Sequence, residues 1–488
     1  MEIEIKKEDM ILVFIAILAG FFLYFASSTD MLGEDEGFYI TNVNKIIQND
    51  LKPFDITGRQ TIFVPFIPAL TAAIFLILGP SLSLAKVIIS IFAILTIFVL
   101  FLQTKKYGFI AAISSIIILV SIPLFTHFSF IYYVDIPIAF FSILLIYLFS
   151  TLDSNKKAII TAVVLSTAFY TKQSALIFVI LLFLSSLYKL YFKKDKKYFK
   201  LAFITLLITI IAIVPWVLYN LFTYGYPHTE GLNIFFKQKE LPEWLFKSQI
   251  TISPHLNIIE IFTPIQLFLF CLGLAYFLCS KEEELILPLT VIVIFFIIFF
   301  IRLTTGVVSE NRYFIIIFPQ VALVSSFFLQ KIYEKNNKSI LLLIIILAFM
   351  LYQTIIVALN TSSSQRYPND YKEALSWIKT NTQENEIIFT AYRGSLLYYA
   401  NRYNKWSDIE EFPQLMTTQN STYIYETLKK ENVSYIFIWR NIIADRYIIP
   451  ESNIYGVFTY NFLNTISNDS EHFNVTFQNQ NNIIYKLL

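Results

Sequence analysis

Three carboxylates stand together in Gly33-Glu34-Asp35-Glu36-Gly37-Phe38-Tyr39, directly after the first apolar segment of the chain. Desolvating a charged side chain beside a bilayer is expensive, so acidic residues are usually excluded from such places. A cluster of this kind is either a solvated loop that caps a helix or the seat of a reaction. Some ten further apolar segments follow it, and they decide which elements could hold such a site.

Composition assigns the class. The chain has 488 residues, of which 56% are hydrophobic, 17% aromatic and only 15% charged, with a mean hydropathy of +0.61. Soluble domains carry about 25% charged residues. The charges are also clustered: residues 61–85, 107–134, 201–229, 261–280, 313–330 and 339–365 contain no Asp, Glu, Lys or Arg. Several of these runs reach the roughly 20 residues that a helix needs to cross about 30 Å of hydrocarbon. The expected fold class is a polytopic α-helical membrane protein of about 11–13 transmembrane helices. A net charge of +2 is too small to imply a nucleic-acid partner. Cys271 and Cys279 would lie about 12 Å apart along one helix, too far to pair, and are expected as core fillers. The first segment is expected to be an uncleaved span, because its apolar run continues to Phe25.

Candidate spans fall at 9–27, 61–79, 82–102, 108–125, 136–152, 157–171, 174–190, 200–222, 261–280, 285–302, 312–332 and 339–359. Lys105-Lys106, Lys156-Lys157, the four lysines around Asp195, and Lys331 to Lys338 fall on one face if the spans from 82 onward alternate. The positive-inside bias makes that face cytoplasmic. The opposite face then receives Phe125–Asp135, Thr171–Gln173, the loop 223–260, Arg302–Arg312 and everything after Thr361. Pro65 and Pro68 mark segment 61–79 as a re-entrant or broken helix.

From about Arg366 the long apolar runs stop. Asp370–Thr380, Ser395–Arg402 and Thr422–Glu431 have helical patterns, whereas Glu386–Thr390 and Val433–Trp439 have the β-branched and aromatic character of strands. Residues 362–488 are therefore expected to form a small extracytoplasmic α/β domain, and residues 1–361 a transmembrane domain whose first external loop is 28–60. Sequons at Asn360, Asn420, Asn432, Asn468 and Asn474 exceed the about two that chance would place and agree with an outside location.

Six groups of residues, in order along about 300 positions, resemble the GT-C superfamily of integral-membrane glycosyltransferases, in the branch of aminoarabinose transferases and protein O-mannosyltransferases. Asp35-Glu36-Gly37-Phe38-Tyr39 is similar to the family's Asp-Glu-x-x-Tyr in the first external loop. Gly58-Arg59-Gln60 before Pro65 is similar to its basic-Pro-Pro entry. Tyr133-Val134-Asp135-Ile136-Pro137 matches its second external aspartate, and Tyr170-Thr171-Lys172-Gln173 its Thr-Lys-Gly turn. Pro215-Trp216 through Tyr224-Gly225-Tyr226-Pro227 and Asn311-Arg312-Tyr313 with Pro319 complete the series. Arg59 stands where lysine is usual, with no Pro-Pro after it, and Gln173 replaces glycine. The Trp-Trp-Asp motif of oligosaccharyltransferases is absent.

The resemblance implies transfer of a sugar from a polyprenyl-phosphate donor to a protein, glycan or lipid acceptor at the outer face of the cell membrane. Displacement at the anomeric carbon needs a base for the acceptor hydroxyl, typically worth about 10²- to 10⁴-fold. Asp35 is the expected base, with Glu36 and Asp135 as further catalytic carboxylates and Tyr39 against substrate. Arg59, Lys172 and Arg312 are expected on the departing phosphate. Lys172 stands out among them because it defies the positive-inside bias. No cofactor is implied. A divalent metal stays open without an identified site, and His228 and His255 are too far apart in sequence to suggest one.

The same residues also fit structural roles. Glu34, Asp35 and Glu36 could cap a helix, Asp135 could cap the span that carries Pro137 in its first turn, and Lys172 could snorkel. Either Arg302 or Arg312 could anchor their loop, and His127 fits an interfacial position. The alternative function is a secondary transporter with about twelve spans, but no repeat relates 1–200 to 200–360, and the ionisable residues gather at one face.

Overall fold

The computed structural model describes residues 7–29, 34–47, 54–55, 60–61, 65–224, 261–280, 282–304, 311–364, 368–391, 395–405, 409, 411–439 and 459–488. Contacts divide the chain into two compact units. One comprises 1–29, 64–71 and 77–364, and the other 30–63, 72–76 and 365–488.

The first unit is helical. Its helices are α1 (Lys7–Ser27), α3 (Phe66–Leu78, shared between the units), α4 (Leu82–Thr104), α5 (Phe109–Ser121), α6 (Pro123–Phe128), α7 (Asp135–Ser150), α8 (Asn155–Thr171), α9 (Leu176–Phe192), α10 (Lys196–Tyr224), α11 (Pro264–Ser280), α12 (Ile286–Thr304), α13 (Phe318–Lys335) and α14 (Ile340–Ser364). Among the described residues, seven helical stretches are long and apolar enough to cross a membrane, and four shorter apolar helices accompany them. This is an integral membrane protein. The stretch ending in α13 is buried over most of its length, with α5 and α11 packed along it, whereas α14 and α10 turn Leu341, Ile345, Ile210 and Ile211 outward.

The expected spans correspond to these helices with local differences. Segment 108–125 is broken, because Ile122 is extended (φ −68°, ψ 116°) ahead of Pro123, where the proline ring disfavours the helical conformation of the residue before it. At 13 residues, α3 is about 20 Å long and shorter than the hydrocarbon layer. Cys271 and Cys279 are exposed on α11 rather than filling the core. Gly273 of the same helix faces α13 so closely that a Cβ would stand 2.9 Å from the Val324 carbonyl oxygen.

In the second unit, helix α2 (Glu34–Ile47) replaces the expected loop around the acidic cluster. Glu36, Tyr39, Ile40 and Val43 are all buried, at the spacing that lines one helix face, and this stripe is why the segment folds. A two-residue ladder pairs β1 (Phe54–Asp55) with β2 (Gln60–Thr61). The remainder is a five-stranded sheet in the order β4 (Tyr403–Lys405), β3 (Ile387–Phe389), β5 (Val433–Trp439), β7 (Asn482–Leu487), β6 (Phe473–Gln478), with β4, β3 and β5 parallel and the last two antiparallel. Alternate residues of β5 serve two cores. Ile436 and Ile438 face α16 (Phe412–Thr417), α17 (Ser421–Lys430) and α18 (Tyr460–Ser467), while Tyr435, Phe437 and Trp439 face α15 (Asn369–Asn381). A π-helical turn at Leu396–Ala400 stands where Ser395–Arg402 suggested a helix, and α2 packs against it.

Gly108, between α4 and α5, has φ 130° and ψ 171°, a region open essentially to glycine alone. A Cβ there would stand 2.6 Å from the Gln330 amide, which accepts a hydrogen bond from the Ala111 N–H. Gly108→Ala is predicted to destabilise the protein by about 1–3 kcal/mol, read as a lowered Tm of the detergent-solubilised chain; an unchanged Tm contradicts this account of the turn.

Candidate functional site

Helices α7 and α8 form an antiparallel hairpin around a turn at 151–154. They have 16 and 17 residues, so the start of α7 and the end of α8 lie at the same end of the bundle. Asp135 is the first residue of α7, and Lys172 follows the last residue of α8 with its own N–H bonded to the Ala168 carbonyl. Their side chains meet, with Lys172 Nζ donating to Asp135 Oδ1 at 2.6 Å. The Asp135 side chain is 3% exposed and that of Lys172 15%. A carboxylate at a helix N-terminus and an ammonium at a helix C-terminus each match the local helix dipole.

Several bonds fix the surroundings of this pair. Tyr170 Oη donates to the Ala212 carbonyl at 2.7 Å, which ties the end of α8 to α10. Ahead of α7, Tyr132 Oη donates to Thr71 Oγ1 at 2.6 Å, and Ser90 Oγ donates to the Ser129 carbonyl at 2.6 Å. The segment Asn311–Ile317 is a 3₁₀ turn that leads into α13. It is held against α7 by Ser142, whose Oγ lies 2.8 Å from the Ile316 carbonyl and 2.6 Å from the Gln320 amide.

That turn delivers a second cation. Arg312 Cζ lies 4.8 Å from the centre of the Tyr133 ring and 5.9 Å from that of Tyr313, and Lys172 Nζ lies 4.7 Å from the centre of the same Tyr313 ring. Guanidinium and ammonium therefore share the Tyr313 ring, whose electrons attract both cations. The constellation of Asp135, Lys172, Arg312, Tyr133 and Tyr313 is one negative and two positive charges held by aromatic faces. It can bind an anion, with the planar guanidinium suited to two parallel hydrogen bonds to phosphate oxygens.

Of the residues singled out in the sequence, Asp135, Lys172 and Arg312 come together here. Asp35, Glu36 and Tyr39 lie on α2 in the other unit; Glu36 is 1% exposed and Tyr39 is buried, and the side chain of Asp35 lies outside the described residues. Arg59, His228 and His255 also lie outside them, as does the side chain of Arg302. His127 is engaged structurally: its Nδ1 pairs with Thr361 Oγ1 at 3.0 Å, joining α6 to α14. Among the described residues no group of three His, Cys, Asp or Glu could hold a metal ion.

Sequence reasoning missed Lys86 and the aromatic clamp. Lys86 is fully buried near the start of α4 and close enough to His127 for an electrostatic interaction. Its signal was available, because a lone lysine inside an otherwise apolar span is a functional candidate by default. Tyr133 and Tyr313 stand inside the quoted motifs, but nothing marks them as a clamp among 30 tyrosines, and only the fold sets them against the cations.

Comparison with known proteins shows a likeness of fold and a family match over part of the chain. Residues 80–233 match the family model described as dolichyl-phosphate-mannose-protein mannosyltransferase. No curated protein matches the sequence. Among solved structures, ArnT from Cupriavidus metallidurans bound to undecaprenyl phosphate superposes with a TM-score of 0.64 at 12% identity, covering 97% of each chain. The Archaeoglobus fulgidus oligosaccharyltransferase in complex with Zn and sulfate superposes with a TM-score of 0.65 at 15% identity, covering 88% of this chain and 68% of that one. Archaeal oligosaccharyltransferase AglB from the same organism, in complex with an inhibitory peptide and a dolichol-phosphate, gives 0.61 at 14% identity over 88% and 70%.

Asp135→Asn is predicted to leave a buried ammonium without its counter-charge, at about 3–5 kcal/mol. Asp135→Leu combined with Lys172→Met is predicted to recover most of that loss. Thermal unfolding of the two purified variants checks the pair; a double variant no more stable than Asp135→Asn contradicts it.

Proposed function

We propose that this chain, which has the GT-C fold of membrane glycosyltransferases, transfers a sugar from a polyprenyl-phosphate carrier to an acceptor hydroxyl at the outer face of the cell membrane. The observation that carries the reading is the pairing of Lys172 and Arg312 around Tyr313 at one end of the helical bundle. Its support comes from the likeness to ArnT over nearly the whole of both chains, since that protein was solved with undecaprenyl phosphate bound.

In the proposed reaction the acceptor oxygen attacks the anomeric carbon as the bond from that carbon to the phosphate oxygen breaks. The acceptor proton passes to a carboxylate, and the electron pair leaves with the polyprenyl phosphate. Asp35 is the proposed base, with Glu36 beside it on α2 and Tyr39 one turn on against the substrate. Arg312 takes two oxygens of the departing phosphate, with Lys172 as a point charge and Arg59 as a further contact. Asp135 positions Lys172. Such donors, fixed where charge develops, typically contribute about 3–4 kcal/mol each to the barrier. The lipid tail of the donor would lie against apolar helix flanks, and residues 362–488 would face the outside.

Three measurements test the proposal. Asp35→Asn is predicted to lower transfer from a polyprenyl-phosphate sugar by at least about 10²-fold with donor affinity retained; turnover at the unmodified rate removes Asp35 as base. Arg312→Lys, which keeps the charge but loses the planar fork, is predicted to lower turnover by about 10- to 100-fold, whereas an equal rate would assign Arg312 to anchoring alone. Cysteines at Ser470 and Lys194 report sidedness in intact cells. Labelling at position 470 with protection at 194 is expected, and the reverse pattern overturns the placement of the outer face.

A further inference from the structure

At the turn end of the α7–α8 hairpin, away from Asp135 and Lys172, lies a pocket of about 480 Å³ bounded by the ends of α4, α7, α9, α10 and α12. That volume is within the range of small-molecule sites. We propose that it holds the headgroup of an anionic phospholipid.

The lining is arranged for an amphiphile. Lys106, Lys189 and Lys193 enter it with two carboxylates, Glu283 and Glu284, leaving one positive charge in excess. Lys193 pairs with Glu283, and Lys106 lies 3.9 Å from Glu284. These pairs fasten the start of α12 to α9 and to the end of α4 and so close one side. Lys189 has no carboxylate partner among the described residues. Its ammonium lies 5.6 Å from the centre of the Tyr198 ring, and Tyr198 is itself fixed by donating to the Phe149 carbonyl at 3.2 Å. Lys189 is thus a cation held in place on a buried ring, with its hydrogen-bond donors available to an anion.

The remaining wall distinguishes a lipid from free phosphate. Leu181 and Leu184 of α9 line the pocket, and Leu184 is 43% exposed, continuous with exposed Phe183 and Ile180 on the outward flank of that helix. A headgroup among the lysines would therefore have its glycerol and first methylenes on an apolar surface that leads to the surrounding bilayer. Basic pockets between transmembrane helices bind anionic headgroups by this division of labour. The site is built from residues outside the proposed reaction machinery.

The test uses the full-length chain, exchanged from detergent into nanodiscs of equimolar phosphatidylglycerol and phosphatidylcholine and then examined by native mass spectrometry and thermal unfolding. The unmodified protein is expected to retain phosphatidylglycerol in preference to phosphatidylcholine. Lys106→Gln with Lys189→Gln should weaken that retention by about 25-fold, taking roughly fivefold per lysine. Leu184→Trp, which blocks the apolar wall and leaves the charges alone, should weaken it as well, and it decides the matter should the lysine variant not purify. Equal retention of the two lipids, or unchanged retention of phosphatidylglycerol in a monodisperse variant, overturns the proposal. Stabilisation by inorganic phosphate equal to that by phosphatidylglycerol also overturns it and makes the pocket a site for free phosphate.

Discussion

Asp135 and Lys172 stand 37 positions apart in sequence and 2.6 Å apart in space because two helices of nearly equal length fold back on each other around a short turn. Two charges withdrawn from water are costly unless each is matched, and here the match is double. Each ion has the other, and each sits at the helix terminus whose partial charge it complements. This arrangement constrains everything adjacent to it. The connection ahead of α7 must be rigid, which the bonds made by Ser90 and Tyr132 secure, and the 3₁₀ turn that carries Arg312 must lie against α7, which Ser142 and Gln320 secure.

The pair also changes what Lys172 can do for an anion. Alone, a buried ammonium would be a strong attractor; neutralised by Asp135, it supplies direction more than net charge. Arg312 adds a second positive charge beside that pair, and its guanidinium lies against the rings of Tyr133 and Tyr313. In the proposed reaction this division suits a phosphate that gains charge as it leaves. Ground-state binding, which a full excess charge on Lys172 would strengthen, is moderated, and the fixed guanidinium is most effective at the moment of bond breaking.

Much of the helical unit was legible because a bilayer imposes one demand, an uninterrupted apolar run of sufficient length, and charge-free stretches satisfy it visibly. The Asp135–Lys172 contact was implicit in the similar spacing of those residues from the turn at 151–154, although neither residue type announces it. Other features depend on tertiary context. The acidic cluster was expected in a loop, and α2 forms because Glu36, Tyr39, Ile40 and Val43 share a buried face, so a carboxylate takes part in a stripe that pattern reasoning reserves for apolar side chains. The strands β4, β6 and β7 were not anticipated: β4 has three residues, and the exposed positions of β6 give it the appearance of a polar connection. Cys271 and Cys279 face outward because the solvent of a membrane protein is lipid, which removes the usual link between apolar character and burial.

Helix length accounts for the recess in which the charges lie. At 16 and 17 residues, α7 and α8 are about 24–26 Å long, shorter than the hydrocarbon layer of about 30 Å. Their ends must fall short of at least one membrane surface, and α5, with 13 residues before its break at Ile122, does the same. Connections between short helices sink below the surface and become lined by neighbouring helices, which is how Asp135 comes to be buried at the end of a helix rather than in the middle of one. In such a recess the effective dielectric is low, so each charge contact is stronger than it would be at the rim. A chain built from full-length spans could carry the same residues in the same order and yet present them to water, where cations and carboxylates separated by a few ångströms interact weakly.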